Sequence, residues 1–144
     1  MIALDTNVIS ELMRSEPNPA VRDWIAAQPR ASLYTTSINC AEIFFGVRAL
    51  PEGKRRAALE DAARLMFEED FGGRILAFDS AAADRYSAIV INRRQAGAPI
   101  EAFDALIAST AFVAGAAVAT QDLRGFEGCG LRLINPWEAR TREA

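Results

Sequence analysis

Five short apolar runs, near residues 2–4, 32–35, 75–78, 116–119 and 131–134, alternate with longer segments whose apolar residues recur at helical spacing. No other feature constrains the fold as much. Strands separated by helices read as a parallel sheet covered on both faces. The expected architecture is a three-layer α/β/α sandwich with a central five-stranded, mainly parallel sheet, a single domain over residues 1–144. Prolines and glycines set the boundaries: Pro17, Pro19, Pro29 and Pro51, the Gly72-Gly73 pair, Gly97 with Pro99, and Pro136. Between them the spacing predicts helices over 7–14, 19–28, 37–50, 52–70, 80–95 and 101–114, with Ser37 and Ser80 as N-caps. Leu59, Ala63 and Met66 face inward on the fourth, and Trp24 and Trp137 read as core or rim packing. In such sheets ligands bind beyond the carboxyl ends of the strands, at the switch in strand order.

Composition removes much of the remaining chemistry. The chain has no histidine, which excludes a Ser–His–Asp triad, a Cys–His pair, a His-ligated zinc and a histidine base. Its two cysteines, Cys40 and Cys129, have no metal-type spacing, so a zinc cluster and a disulfide framework are excluded as well. The net charge is −3, which offers no bulk attraction to nucleic acid; binding there needs local basic patches or a cation that reverses the sign of an acidic site. All basic residues but Lys54 are arginines, and arginine suits bidentate contact with phosphate. Arg14, Arg93, Arg94 and Arg124, near predicted helix ends or loops, could hold phosphates or simply lie on a solvated surface. No basic segment leading into a long apolar stretch opens the chain, and no apolar run is long enough to span a bilayer. The expectation is therefore a cytoplasmic protein with free thiols and no membrane partner.

The carboxylates carry the functional signal. Asp5 directly follows the first apolar run, and Asp122 lies three residues after the fourth, in Thr120-Gln121-Asp122. Glu42 and Asp104 sit in otherwise apolar or small-residue helical segments. Each alone has a plain structural reading. Asp5 can cap a helix, and Glu42 can pair with Arg48 or face water. Asp104 can complement a helix dipole, and Asp122 can form a turn before Gly125. Together they are harder to dismiss. A carboxylate among apolar groups is costly unless paired or bound to a cation, and four at one sheet edge repel one another. A divalent ion or raised pKa values would relieve the repulsion, and hard oxygen donors suit Mg²⁺ or Mn²⁺. Thr6, Asn7 and Thr120 sit beside these acids and could orient carboxylates or ion-bound waters, or could serve as caps and strand-end donors.

The run Leu4-Asp5-Thr6-Asn7-Val8-Ile9-Ser10-Glu11-Leu12 resembles the opening of PIN-domain ribonucleases of the VapC/FitB-like toxin group. The resemblance continues through Glu42, Asp104-Ala105-Leu106-Ile107-Ala108 and Thr120-Gln121-Asp122, in the family's order and over nearly the whole chain. It implies an acidic quartet of Asp5, Glu42, Asp104 and Asp122 binding Mg²⁺ or Mn²⁺, with Thr6 and Thr120 in the same pocket. It further implies cleavage of RNA by metal-activated water, a homodimer, a cognate antitoxin of VapB/FitA type, and operator DNA bound only through that antitoxin. Asp122 stands where the family varies most. Phe44-Phe45 and the helix pair over 37–70 could present an apolar groove to an antitoxin helix, unless both phenylalanines are core.

Two other classes fit less well. A receiver-type phosphoacceptor needs an aspartate after the third strand, which Asp79 supplies, and a lysine after the fifth, which Lys54 does not. A haloacid-dehalogenase-type phosphatase needs Asp-x-Asp where this chain has Asp5-Thr6-Asn7. A non-catalytic PIN fold acting as a binding module is the remaining alternative.

Overall fold

In a computed structural model, which describes residues 1–138 and 140–143, five strands run parallel: β1 (Ile2–Leu4), β2 (Leu33–Thr36), β3 (Ile75–Leu76), β4 (Ala117–Ala119) and β5 (Arg132–Asn135). A sixth, β6 (Arg140–Glu143), joins β5 antiparallel, giving the order β3-β2-β1-β4-β5-β6. The chain winds outward in one direction from β1 through β2 to β3 and in the other from β4 to β5. The switch point therefore lies between β1 and β4, whose registers pair Ile2 with Ala117 and Leu4 with Ala119.

Strand alternation sorts the core into two halves. Ile2, Leu4, Ala117 and Ala119 point to one face, with Val8, Ile9, Val21, Ile43, Phe67 and Phe71. Ala3 and Val118 point to the other, with Ile89, Ile107, Ala108, Ala111, Phe126 and Leu133. The first face is covered by α1 (Thr6–Leu12), α2 (Pro19–Ala27), α3 (Ser37–Arg48) and α4 (Lys54–Leu65). The second is covered by α5 (Ser80–Gln95), α6 (Ala102–Ala114) and the single turn α7 (Leu123–Phe126). This is the α/β/α sandwich that the alternation of segments predicts.

The departures are local and have causes. The N-caps lie one residue earlier than expected: Thr36 Oγ1 accepts from Asn39 N, and Asp79 Oδ1 accepts from Ala82 N, so neither Ser37 nor Ser80 is the cap. In each pair both residues can cap, and the earlier one is still extended. The long charged helix begins at Lys54 and gives way after Leu65 to a wider π-type turn, Met66–Asp70, closed by Phe71 N donating to Met66 O. That turn sends both Phe67 and Phe71 into the core, ring centroids 6.0 Å apart, with Phe44 5.5 Å from Phe67. β6 escapes the sequence pattern because Arg-Thr-Arg-Glu has no apolar alternation and joins the sheet through its backbone. Among the described residues no helix is long and apolar enough to cross a membrane.

Candidate active site

Asp5 leaves β1 at the switch point, and its own side chain caps α1, Oδ1 accepting from Thr6 N at 2.8 Å. The carboxylate is buried and held from several sides. Asn39 Nδ2 donates to Oδ1 at 3.1 Å, while Thr120 Oγ1 at 2.8 Å and Asn7 Nδ2 at 3.4 Å donate to Oδ2. Asp5 thus caps α1 and at the same time takes part in a buried polar cluster. β4 delivers Thr120 to the same place, where its hydroxyl also accepts from Asn7 Nδ2 and from Asp122 N. α3 brings Glu42 to the other side of Asp5, with Thr6 Oγ1 donating to Glu42 Oε1 at 2.8 Å. Arg48 does not reach Glu42; it donates to Glu60 at 2.6 Å. Asp104, in the first turn of α6, and Asp122, the cap of α7, both border Gly125. Thus Asp5, Thr6, Asn7, Glu42, Asp104, Thr120 and Asp122 gather at one end of the sheet.

The electrostatics show that the members of the group act on one another. Burial pushes the Asp5 carboxyl up; its hydrogen bonds to Thr120, Thr6 and Asn39 oppose that, and the charge of Asp122 adds to it. Glu42 is also raised, first by burial and then by the charges of Asp5 and Glu101, against the Thr6 hydrogen bond. Asp104 is pushed up to about 7, by burial first and then by Asp5, Asp122, Glu101 and Glu42. No donor among the described residues reaches its carboxyl. Charge of this kind is relieved by protonation or by a cation. No group of three or more acids, histidines or cysteines among the described residues is arranged to hold an ion unaided. Mg²⁺ characteristically takes one or two carboxylates and keeps several waters, so the donor set suits an ion held partly through water.

Two participants escape sequence reasoning. Asn39 is fully buried, accepts from Thr36 Oγ1 at 2.6 Å and donates to both Asp5 and Thr6, making it the bracket of the site. Glu101 adds a fifth charge; its place three residues before Asp104, on the same side of the opening turn of α6, was the available signal. Other expectations are corrected. Arg93 holds no phosphate: it is buried, its guanidinium donating to the carbonyls of Ala98, Gly125 and Glu127. Arg14, Arg94 and Arg124 are exposed, and Arg14 pairs with Glu11. Phe44 packs inward on Phe67 while Phe45 is 76% exposed. The helix pair over 37–70 does border a groove beside the site, but Met13, Ile43, Val47, Leu50 and Leu59 line it rather than the phenylalanines, with a volume near 710 Å³ and Thr6 and Glu42 on its wall. Asp79 serves as a helix cap and Lys54 opens α4, so the receiver-type arrangement does not form.

A family model described as the PIN domain matches residues 2–128. The plasmid stability protein StbB of Pseudomonas syringae pv. tomato is 44% identical over 139 residues, covering 96% of this chain and all of that one. The VapC ribonuclease Y4jK of Sinorhizobium fredii is 44% identical over 96% of this chain and 99% of its own length. Toxin FitB of Neisseria gonorrhoeae is 37% identical over 95% and 99% respectively. The FitAcB crystal structure from the same organism superposes with a TM-score of 0.89, covering 95% of this chain and 99% of that chain at 37% identity. With the sheet order, the convergent acids and these relatives in agreement, the chain belongs to the PIN-domain family, in the group of VapC ribonucleases and FitB-like toxins.

Proposed function

We propose that this chain is an Mg²⁺- or Mn²⁺-dependent endoribonuclease, the toxin of a toxin–antitoxin pair. The observation that carries the reading is the convergence of Asp5, Glu42, Asp104 and Asp122 where β1 and β4 end, with no basic side chain among the described residues to neutralise them. Asp5 and Asp104 would hold the ion directly, Glu42 and Asp122 through water, with Thr6, Asn7 and Thr120 steadying them. When bound, the ion supplies a water of lowered pKa and positive charge beside the phosphoryl oxygens. The protein's share is orientation and proton uptake. Thr6, Asn39 and Thr120 hold the Asp5 carboxylate in one pose. Glu42, steadied by Thr6, and Asp122, steadied by Gly125 N, are the acceptors for the proton of the attacking water. Without histidine the chain has no imidazole base for attack by the ribose hydroxyl.

The partners follow from the relatives. Structures of FitAB and of VapBC from Salmonella typhimurium, at 37% and 25% identity, are described as bound to DNA. For this chain the corresponding reading is a cognate VapB/FitA-like antitoxin with operator DNA reached through it; a homodimer and a cytoplasmic location belong to the proposal without support from those structures. The apolar groove that starts at Glu42 suits an antitoxin segment. A non-catalytic binding module is the competing reading, and one substitution separates the two. Asp5→Asn keeps the size of the side chain and removes its charge. Purified wild type with Mg²⁺ should cleave RNA and the variant should lose at least about a hundredfold in rate, as expected when a direct metal ligand is displaced. Equal cleavage by both, with contaminating nuclease excluded, would refute the assignment.

A further inference from the structure

We propose that Gly125 is a positioning residue for the acidic site: its missing side chain leaves the space that the Asp104 and Asp122 carboxylates share. A Cβ built on Gly125 would lie 2.5 Å from Asp122 Oδ2, 3.0 Å from Asp122 Cγ and 3.2 Å from Asp104 Oδ2. Two carboxylates from separate elements therefore border one point, and any side chain there would occupy it. Backbone conformation is not the reason for the glycine. Gly128 and Gly130 have φ of 74° and 76°, where glycine is favoured, but Gly125 lies outside that region, in the helical turn α7.

The turn is also fixed from behind. Gly125 N donates to Asp122 Oδ1 at 3.0 Å, and its carbonyl accepts from Arg93 Nη1 at 3.1 Å. The same guanidinium holds Glu127 O at 2.8 Å and Ala98 O at 2.5 Å, and Arg93 is only 8% exposed. The backbone of α7 cannot retreat from an added methyl without breaking these charge-assisted bonds from the buried Arg93. What yields is the end of the short Asp122 side chain. An alanine at 125 is thus accommodated by the fold and resisted by the site, and displacements near 1 Å at a reacting centre cost up to about 100-fold in rate. This inference rests on the acids being the metal- and RNA-handling groups.

The test compares wild type, Gly125→Ala, Asp122→Ala and the double variant. Mn²⁺ binding is measured by calorimetry, fold by circular dichroism in chelator, and RNA cleavage as kcat and KM. Gly125→Ala should fold as wild type does, bind Mn²⁺ about tenfold more weakly and lose about tenfold in kcat with KM little changed. In the Asp122→Ala background the carboxylate 2.5 Å from the methyl is gone and only Asp104 Oδ2, at 3.2 Å, still borders it, so the same substitution should cost less than about threefold. Wild-type metal affinity and kcat in Gly125→Ala, an equal loss in both backgrounds, or failure of Gly125→Ala to fold would each overturn the inference. A wild type that neither binds Mn²⁺ nor cleaves RNA would overturn the reading of the site and this inference with it.

Discussion

Replacing Asp104 with asparagine should stabilise the metal-free protein while removing its chemistry. The fold raises this carboxyl from 3.8 to about 7, by burial and by the charges of Asp5, Asp122, Glu101 and Glu42. A displacement of about 3 pH units corresponds to ~4 kcal/mol at 1.36 kcal/mol per unit. The group is partly open to water, and screening reduces this to about 2 kcal/mol. The sign follows from which form the fold prefers. Below pH 3.8 the carboxyl is protonated in both folded and unfolded chains and costs nothing. As pH rises towards about 7 the unfolded chain releases the proton first, so stability falls across that window and then levels off. An amide has no proton to lose. In chelator at pH 7.5, Asp104→Asn should therefore be more stable than wild type by about 2 kcal/mol in urea titration, with Tm about 5 °C higher. At pH 4 the gap should nearly close. Adding Mn²⁺ should raise the Tm of wild type but not of the variant. A variant less stable than wild type at pH 7.5, or a gap equal at both pH values, would refute the electrostatic account of the site.

Two further substitutions probe the scaffold. Asn39→Ala strips a donor from Asp5 and Thr6 and an acceptor from Thr36, the bonds to Asp5 and Thr36 being buried. It should cost about 2–3 kcal/mol in urea denaturation and lower the cleavage rate as well. Phe67→Ala removes the ring between Phe44 and Phe71 and should cost about 3–5 kcal/mol with activity per folded molecule unchanged.

The sheet was legible because its central strands β1 and β4 are short and buried on both faces, so runs such as Ala117-Val118-Ala119 stand out against amphipathic helices. Asp5 and Asp104 were legible for the converse reason, as acids interrupting apolar stretches. What the pattern hid was support. Asn39 lies between Ile38 and Cys40, and nothing in that neighbourhood separates a bracket for two distant side chains from an ordinary polar helix residue. Arg93 looks like a surface cation until its partners prove to be the carbonyls of Ala98, Gly125 and Glu127, 5, 32 and 34 residues away, the last two reached only after folding. Glu11 is a third buried charge, but it accepts from Arg14 and from Asn18 N, which makes it a staple between α1 and α2 outside the acidic cluster. Long-range partners of single polar residues leave no periodicity to read.

The two margins of the sheet are unequal in how they could be extended. At one, β3 is two residues long and offers almost nothing for a foreign strand to align with. At the other, β6 runs for four residues and, among those described, pairs only on its inner side. Growth by strand addition, whether in dimer formation or in unwanted aggregation, is therefore directed to one flank, along the backbone of residues 140–143.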